Sequence, residues 1–291
     1  MTVSTTGLTK RYGDHTALDG VDLSVATGSV YGLVGPNGAG KTTLLALLAG
    51  LRRPTSGAIG LDVPRNHVAV LPDTPQFDPW LTGREVVALA ADLVGAPEAR
   101  VGPALDDAGL ADAAGRRVGG YSRGMLQRLG LAATIVGDPA LLLLDEPASA
   151  LDPAGRREVL DLIGRLRGRA TVILSSHILA DVQEVCDTVG ILRAGRLLYQ
   201  GSLDDLLVGH AVPAYRVVIR MPAPDVAGAL HECAWVTSVT ESGPGLLHVG
   251  VRSLTDAEAG LAGVLDRCGA RVVSMAPEAP DLEDVFLELT S

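Results

Sequence analysis

Gly28-Ser29-Val30-Tyr31-Gly32-Leu33-Val34 runs directly into Gly35-Pro36-Asn37-Gly38-Ala39-Gly40-Lys41-Thr42, and Lys41–Leu51 follows as an apolar stretch. The order reads strand, glycine-rich loop, helix. The loop matches G-x-x-x-x-G-K-[ST] at every position. Its glycines let the backbone curl so that successive N–H groups point inward at phosphate oxygens. The helix start adds the positive end of its dipole. Lys41 is then placed to reach the β- and γ-phosphates of a nucleotide, and the Thr42 hydroxyl to ligate Mg2+.

Further along, Leu141-Leu142-Leu143-Leu144-Asp145-Glu146-Pro147 is an apolar strand ending in two carboxylates. A strand followed by an acidic helix start is common by itself. Downstream of a complete phosphate loop it acquires chemistry: Asp145 fits the acid on the Mg2+ side, and Glu146 fits a general base polarising the attacking water.

Composition narrows the function classes. The chain has 291 residues, enough for one large domain plus a small one. Hydrophobic residues make up 47%, yet no run reaches the roughly 18 apolar residues that a membrane span needs. The N-terminus lacks the basic-then-apolar layout of a signal peptide. A soluble, cytoplasmic chain is expected. A net charge of −10 and 3% aromatics argue against a nucleic-acid partner. Cys186, Cys233 and Cys268 lie far apart and fit neither a zinc spacing nor a disulfide framework. Only two lysines, Lys10 and Lys41, stand beside 22 arginines, so a Lys at 41 suggests a site needing a compact ammonium.

Short apolar runs at Leu141–Leu144 and Thr171–Leu174 read as buried parallel strands, with a helix over Pro153–Arg167. Strands alternating with helices predict an α/β core. The character changes near Gly209–Pro213. Beyond it come Ala214–Met221 (strand), Pro224–Glu232 (helix), Val236–Glu241 and Leu246–Val251 (strands), Thr255–Cys268 (helix) and Ala270–Met275 (strand). That βαββαβ order predicts a small ferredoxin-like α+β domain. Leu282–Leu289 closes the chain as a short helix. The expected domains are residues 1–208 and 213–291.

Over about residues 2 to 208 the chain resembles the ABC ATPase family, a P-loop NTPase fold with a helical subdomain. Tyr12, in Lys10-Arg11-Tyr12-Gly13, resembles the aromatic that stacks on adenine. Tyr121-Ser122-Arg123-Gly124-Met125 resembles the signature motif; Ser122 and Gly124 match, while Arg123 and Met125 depart from its commonest form. Ser149-Ala150-Leu151-Asp152 resembles the D-loop. His177, after Ser175-Ser176, resembles the switch histidine at the γ-phosphate. The tail, with Gly195-Arg196-Leu197 and Leu282-Glu283-Asp284-Val285-Phe286-Leu287, looks like that of drug- and antibiotic-resistance exporters typified by the daunorubicin transporter.

The resemblance implies an ATPase with ATP and Mg2+ as its cofactors. Its ATP-binding set is Tyr12 with Gly35, Pro36, Asn37, Gly38, Ala39, Gly40, Lys41, Thr42 and Thr43, and Glu146 and His177 are its catalytic pair. Thr42, Asp145 and Asp73 lie on the metal side. The family normally has Gln where Leu71-Pro72-Asp73 places Asp73, and Gln76 is three positions out of register. The resemblance also implies that Ser122 and Gly124 act across a head-to-tail dimer, as a homodimer or with a similar subunit, and that Asp152 is the D-loop aspartate. A separate membrane permease is expected to dock around Asp73–Leu81, holding the chain at the inner face of the membrane. The alternative is a soluble ABC ATPase serving repair, ribosome rescue or cluster assembly. Repair forms carry long coiled-coil insertions and ribosome forms carry two cassettes, and neither is present in this sequence.

Overall fold

β1 (Val3–Tyr12) turns at Gly13-Asp14 into β2 (His15–Val21), and the two pair antiparallel. β3 (Ser24–Val25) pairs with β1 as well. β4 (Val30–Val34) is buried at every residue, as a central parallel strand should be, and leads through the phosphate loop into α1 (Lys41–Leu48). β5 (Ser56–Leu61) returns to pair with β1. The strand expected from Gly28 starts at Val30, because Gly28 is in a left-handed turn at φ 76°. The helix expected to reach Leu51 ends at Leu48, and Gly50 at φ 75° turns the chain away. The structure, a computed structural model, describes residues 1–149, 151–210, 213–220, 225–278 and 282–290. Ala150 of the D-loop, positions 221 and 224 at element ends, and the middle of the expected linker lie outside the described residues.

Next come β6 (Val68–Leu71), α2 (Gly83–Val94), α3 (Val101–Asp107) and α4 (Arg123–Ile135). The three helices enclose their own apolar centre, including Val87, Val101, Leu105 and Leu129, which makes them the helical subdomain. α2 opens with a full capping box: Thr82 Oγ1 accepts from the Glu85 amide, and Glu85 accepts from the Thr82 amide. The first unit continues through β7 (Leu141–Asp145), α5 (Pro153–Arg165), β8 (Thr171–Ser176), α6 (Leu179–Val185), β9 (Thr188–Arg193) and β10 (Arg196–Ser202). α7 (Leu203–His210) contains the point where the chain divides into two units, Met1–Asp204 and Asp205–Leu289.

The six-stranded sheet has the order β10-β9-β4-β8-β7-β6. All its neighbouring strands are parallel except β10 against β9. β8 therefore lies between β4 and β7, and the carboxyl ends of these three strands stand side by side. In an open α/β sheet that edge is where ligands bind.

The second unit is built from β11 (Ala214–Ile219), α8 (Val226–His231), β12 (Val236–Gly243), β13 (Leu246–Val251), α9 (Leu254–Arg267), β14 (Val272–Glu278) and α10 (Leu282–Thr290). Its antiparallel sheet runs β12-β13-β11-β14. That order, with both crossovers helical, is the ferredoxin-like arrangement. Tyr215, Val217, Leu247, Val249, Leu261 and Val264 form its core. Among the described residues, no helix is long and apolar enough to cross a membrane.

Candidate active site

The phosphate loop is pinned at both ends by close backbone packing. A Cβ at Gly35 would lie 2.2 Å from the Leu192 carbonyl oxygen, so only glycine fits. Gly40, the residue before α1, has φ 111°, a conformation that L side chains avoid. Lys41 opens the helix and is buried, with Nζ donating to the Gly35 carbonyl at 2.6 Å and lying 3.8 Å from Glu146 Oε1. Burial lowers the Lys41 pKa, while the charges of Glu146 and Asp145 push it back up. A cavity of about 310 Å3 opens over this loop, lined by Asn37 to Thr43 together with His15, Ala17, Asp73 and Glu146.

The end of β7 presents the two carboxylates. Asp145 is buried, and its Oδ1 accepts the Ser175 hydroxyl at 2.5 Å. The same hydroxyl oxygen accepts the Glu146 amide at 3.0 Å. Glu146 has φ 50°, left-handed and unusual for a side-chain-bearing residue. This turn swings its carboxylate away from the strand into the cavity. There Oε2 lies 2.8 Å from His177 Nδ1, and Oε1 faces Lys41. Buried Gln127 of α4 reaches the Glu146 carbonyl at 3.5 Å. The cavity thus holds an ammonium and a carboxylate, and the His177 imidazole, outside its lining, contacts that carboxylate; the three come from beyond the ends of three adjacent strands.

The other expected residues fall around this centre. Asp73 lines the cavity, whereas Gln76 lines a different one with Pro75 and Phe77. Tyr12 is 44% exposed at the end of β1 with the Lys10 ammonium over its ring, and is not among the residues lining this cavity. Ser122 and Gly124 are also outside that lining. Ser122 is the N-cap of α4, its oxygen accepting the Met125 amide. Asp152 caps α5 through the Gly155 amide at 2.9 Å. Three residues at the site were not singled out in the sequence: His15 on the cavity wall, Gln127 under Glu146, and Ser175 between the acids. A hydroxyl at the end of an otherwise apolar strand was the available signal for Ser175.

Known proteins resemble this chain in sequence and in fold. A daunorubicin resistance ATP-binding protein, DrrA3 of Streptomyces coeruleorubidus, is 38% identical over 99% of this chain and 95% of its own length. The chain belongs to the ABC transporter ATP-binding proteins. The ABC transporter family profile matches residues 18–149. The Nod factor export ATP-binding protein I of Burkholderia orbicola is 35% identical over 97% of this chain and 94% of its own. Among solved structures, an ATP-binding subunit of an ABC transporter superposes with a TM-score of 0.67 at 30% identity, over 72% of this chain and 93% of that one. As an ABC transporter ATPase, the chain binds ATP and hydrolyses it. Among its described residues no three His, Cys, Asp or Glu side chains group to hold a metal ion. Mg2+ asks for less: it is commonly held by one or two protein oxygens plus substrate phosphates. Thr42, which lines the cavity, and the Asp145 carboxylate, next in sequence to cavity-lining Glu146, carry the oxygens that would meet that demand.

Proposed function

We propose that this chain powers export through a separate membrane permease, as one of two ATPase subunits joined head to tail by ATP. The observation that carries the reading is the Glu146–His177 contact at 2.8 Å beside the Lys41 ammonium. Lys41 and the backbone N–H groups of the loop beyond Pro36 bind the β- and γ-phosphates. Glu146 takes a proton from the attacking water, and His177 holds the Glu146 carboxylate and faces the γ-phosphate. Thr42 and Asp145, with Asp73 on the same side, would hold Mg2+, which would neutralise phosphate charge. Tyr12 stacks on adenine.

Ser122 and Gly124 serve the partner's nucleotide. The Ser122 oxygen accepts the Met125 amide, which leaves its hydroxyl proton available to a phosphate oxygen across the interface. The terminal phosphate is then neutralised from two sides, so ATP joins the subunits and hydrolysis parts them. The names of the two relatives, one for drug resistance and one for export, support the direction of transport. The permease docks around Asp73–Leu81 and holds the chain at the cytoplasmic face of the membrane.

Glu146→Gln with ATP is the test. This variant is expected to bind ATP, stop turning over, and double its mass by light scattering, whereas ADP leaves it monomeric. Turnover at the wild-type rate by a protein that stays monomeric at high ATP would refute both the base and the sandwich. Recovery of a tagged copy from membranes with an integral-membrane partner tests the permease.

A further inference from the structure

Of the two lysines of this arginine-rich chain, Lys41 lies in the phosphate loop and Lys10 stands over the Tyr12 ring. We propose that Lys10 is a positioning residue that holds the Tyr12 ring as the adenine platform and braces it to the far end of α1. The inference rests on the reading that Tyr12 stacks on adenine.

The Lys10 Nζ lies 4.8 Å from the Tyr12 ring centroid, inside the roughly 6 Å reach of a cation–π contact. The same ammonium donates to the Arg53 carbonyl at 2.8 Å. Arg53 lies just beyond α1, the helix whose first residue is Lys41. Backbone bonds hold the same junction: the Arg11 amide donates to Thr55 Oγ1 at 2.9 Å, and the Thr55 amide to the Thr9 carbonyl at 2.8 Å. The start of α1 thus carries the phosphate loop, and the loop after it carries the brace for the base platform. Tyr12 is 44% exposed at a hairpin end, where an unheld ring would sample several rotamers. A cation fixed behind one face leaves the opposite face for a planar base and removes part of the ordering cost of binding. Three donors on a compact head let an ammonium serve the carbonyl and the ring together.

The experiment measures affinity for ATP and for inorganic tripolyphosphate, which has no base, by competition against a fluorescent ATP analogue. The proteins are wild type, Lys10→Met, Lys10→Arg, Tyr12→Ala and the Lys10→Met/Tyr12→Ala double variant. Lys10→Met keeps the apolar stem and drops the charge. It is expected to weaken ATP binding about two- to five-fold, leave kcat at saturating ATP and tripolyphosphate affinity unchanged, and add nothing once Tyr12 is gone. Lys10→Arg, which keeps a cation, is expected to recover most of the loss. If Tyr12→Ala weakens ATP binding but Lys10→Met matches wild type, the Lys10 role is overturned while the platform stands. Equal losses for ATP and tripolyphosphate in Lys10→Met would make Lys10 a general structural support and overturn the proposal. If Tyr12→Ala itself leaves ATP binding intact, the platform reading falls and takes this inference with it.

Discussion

The Ser175 hydroxyl donates to Asp145 at 2.5 Å while its oxygen receives the amide of the next residue, Glu146, at 3.0 Å. One side chain from β8 therefore sets both the last residue of β7 and the acid that follows it. Ser175→Ala should leave a buried carboxylate oxygen short of a donor and release the turn that aims Glu146. The expected cost is about 2 kcal/mol in stability and roughly ten-fold in kcat, with ATP affinity changed less. Denaturant unfolding and steady-state ATPase assays read the two effects. Unaltered kcat would mean that the Glu146 turn holds its place unaided.

Lys41 is hemmed in by the Gly35 carbonyl at 2.6 Å and the Pro36 carbonyl at 3.4 Å. Lys41→Ala should reduce turnover by roughly 100-fold or more. Lys41→Arg should fail as well, because the forked guanidinium is too large for the curled loop. Near-wild-type turnover by either variant would remove Lys41 from the phosphate site.

The Lys41 pKa has a direction that a variant can move. Burial lowers it, and the Glu146 and Asp145 charges raise it again. Glu146→Gln removes one raising charge, so the Lys41 pKa should fall further and the ammonium should be lost at lower pH. ATP affinity, measured against pH in the absence of turnover, should decline on its alkaline side at a lower pH in Glu146→Gln than in wild type. Superimposed alkaline limbs would show that Glu146 does not act on the ammonium.

Arg156 in the first turn of α5 is paired with Asp181 of α6, a carboxylate only 3% exposed. Burial raises the Asp181 pKa, and Arg156 pulls it back down. A raised folded-state pKa means that the folded chain holds the proton more tightly than the unfolded one. Keeping Asp181 charged therefore costs stability increasingly as pH rises above its unfolded value of about 4. Arg156→Gln should raise the pKa further and destabilise by about 3 kcal/mol near pH 8, with a smaller deficit near pH 5. Adding Asp181→Asn should restore much of the loss. A deficit independent of pH would point to lost packing instead of lost charge.

Asp73 shares the cavity with Lys41, Thr42 and Glu146. Its carboxylate suits Mg2+ and repels a metal-free triphosphate. Asp73→Gln should retain turnover and raise affinity for metal-free ATP relative to Mg·ATP. Asp73→Ala should lower turnover with little effect on ADP. Mg2+ titrations of ATPase activity and metal-free binding measurements distinguish the three proteins, and identical curves would place Asp73 outside the chemistry.

Much of the core was legible because its signals are local. The phosphate loop is fixed by glycines and one lysine in eight consecutive residues, and the apolar runs Leu141–Leu144 of β7 and Val172–Leu174 of β8 announce burial on both faces. The second unit's βαββαβ order was legible for the same reason. What the sequence hid is long-range: Ser175 reaches Asp145 across 30 positions and Gln127 reaches Glu146 across 19. Such contacts depend on strand order, which no local pattern carries. Asp73 and Gln76 are a related case, since only the path of the loop after β6 sends one to the nucleotide cavity and the other elsewhere.

The left-handed backbone at Glu146 carries a penalty that glycine would not feel. Replacing Glu146 with glycine would relieve about 1 kcal/mol of conformational strain and, with Glu146 as the proposed base, leave a chain unable to activate water. At this position, losing activity runs in the same direction as relaxing the backbone. A screen of position 146 that selects for folded yield alone should therefore drift toward dead enzymes, and only a screen for turnover should return the glutamate.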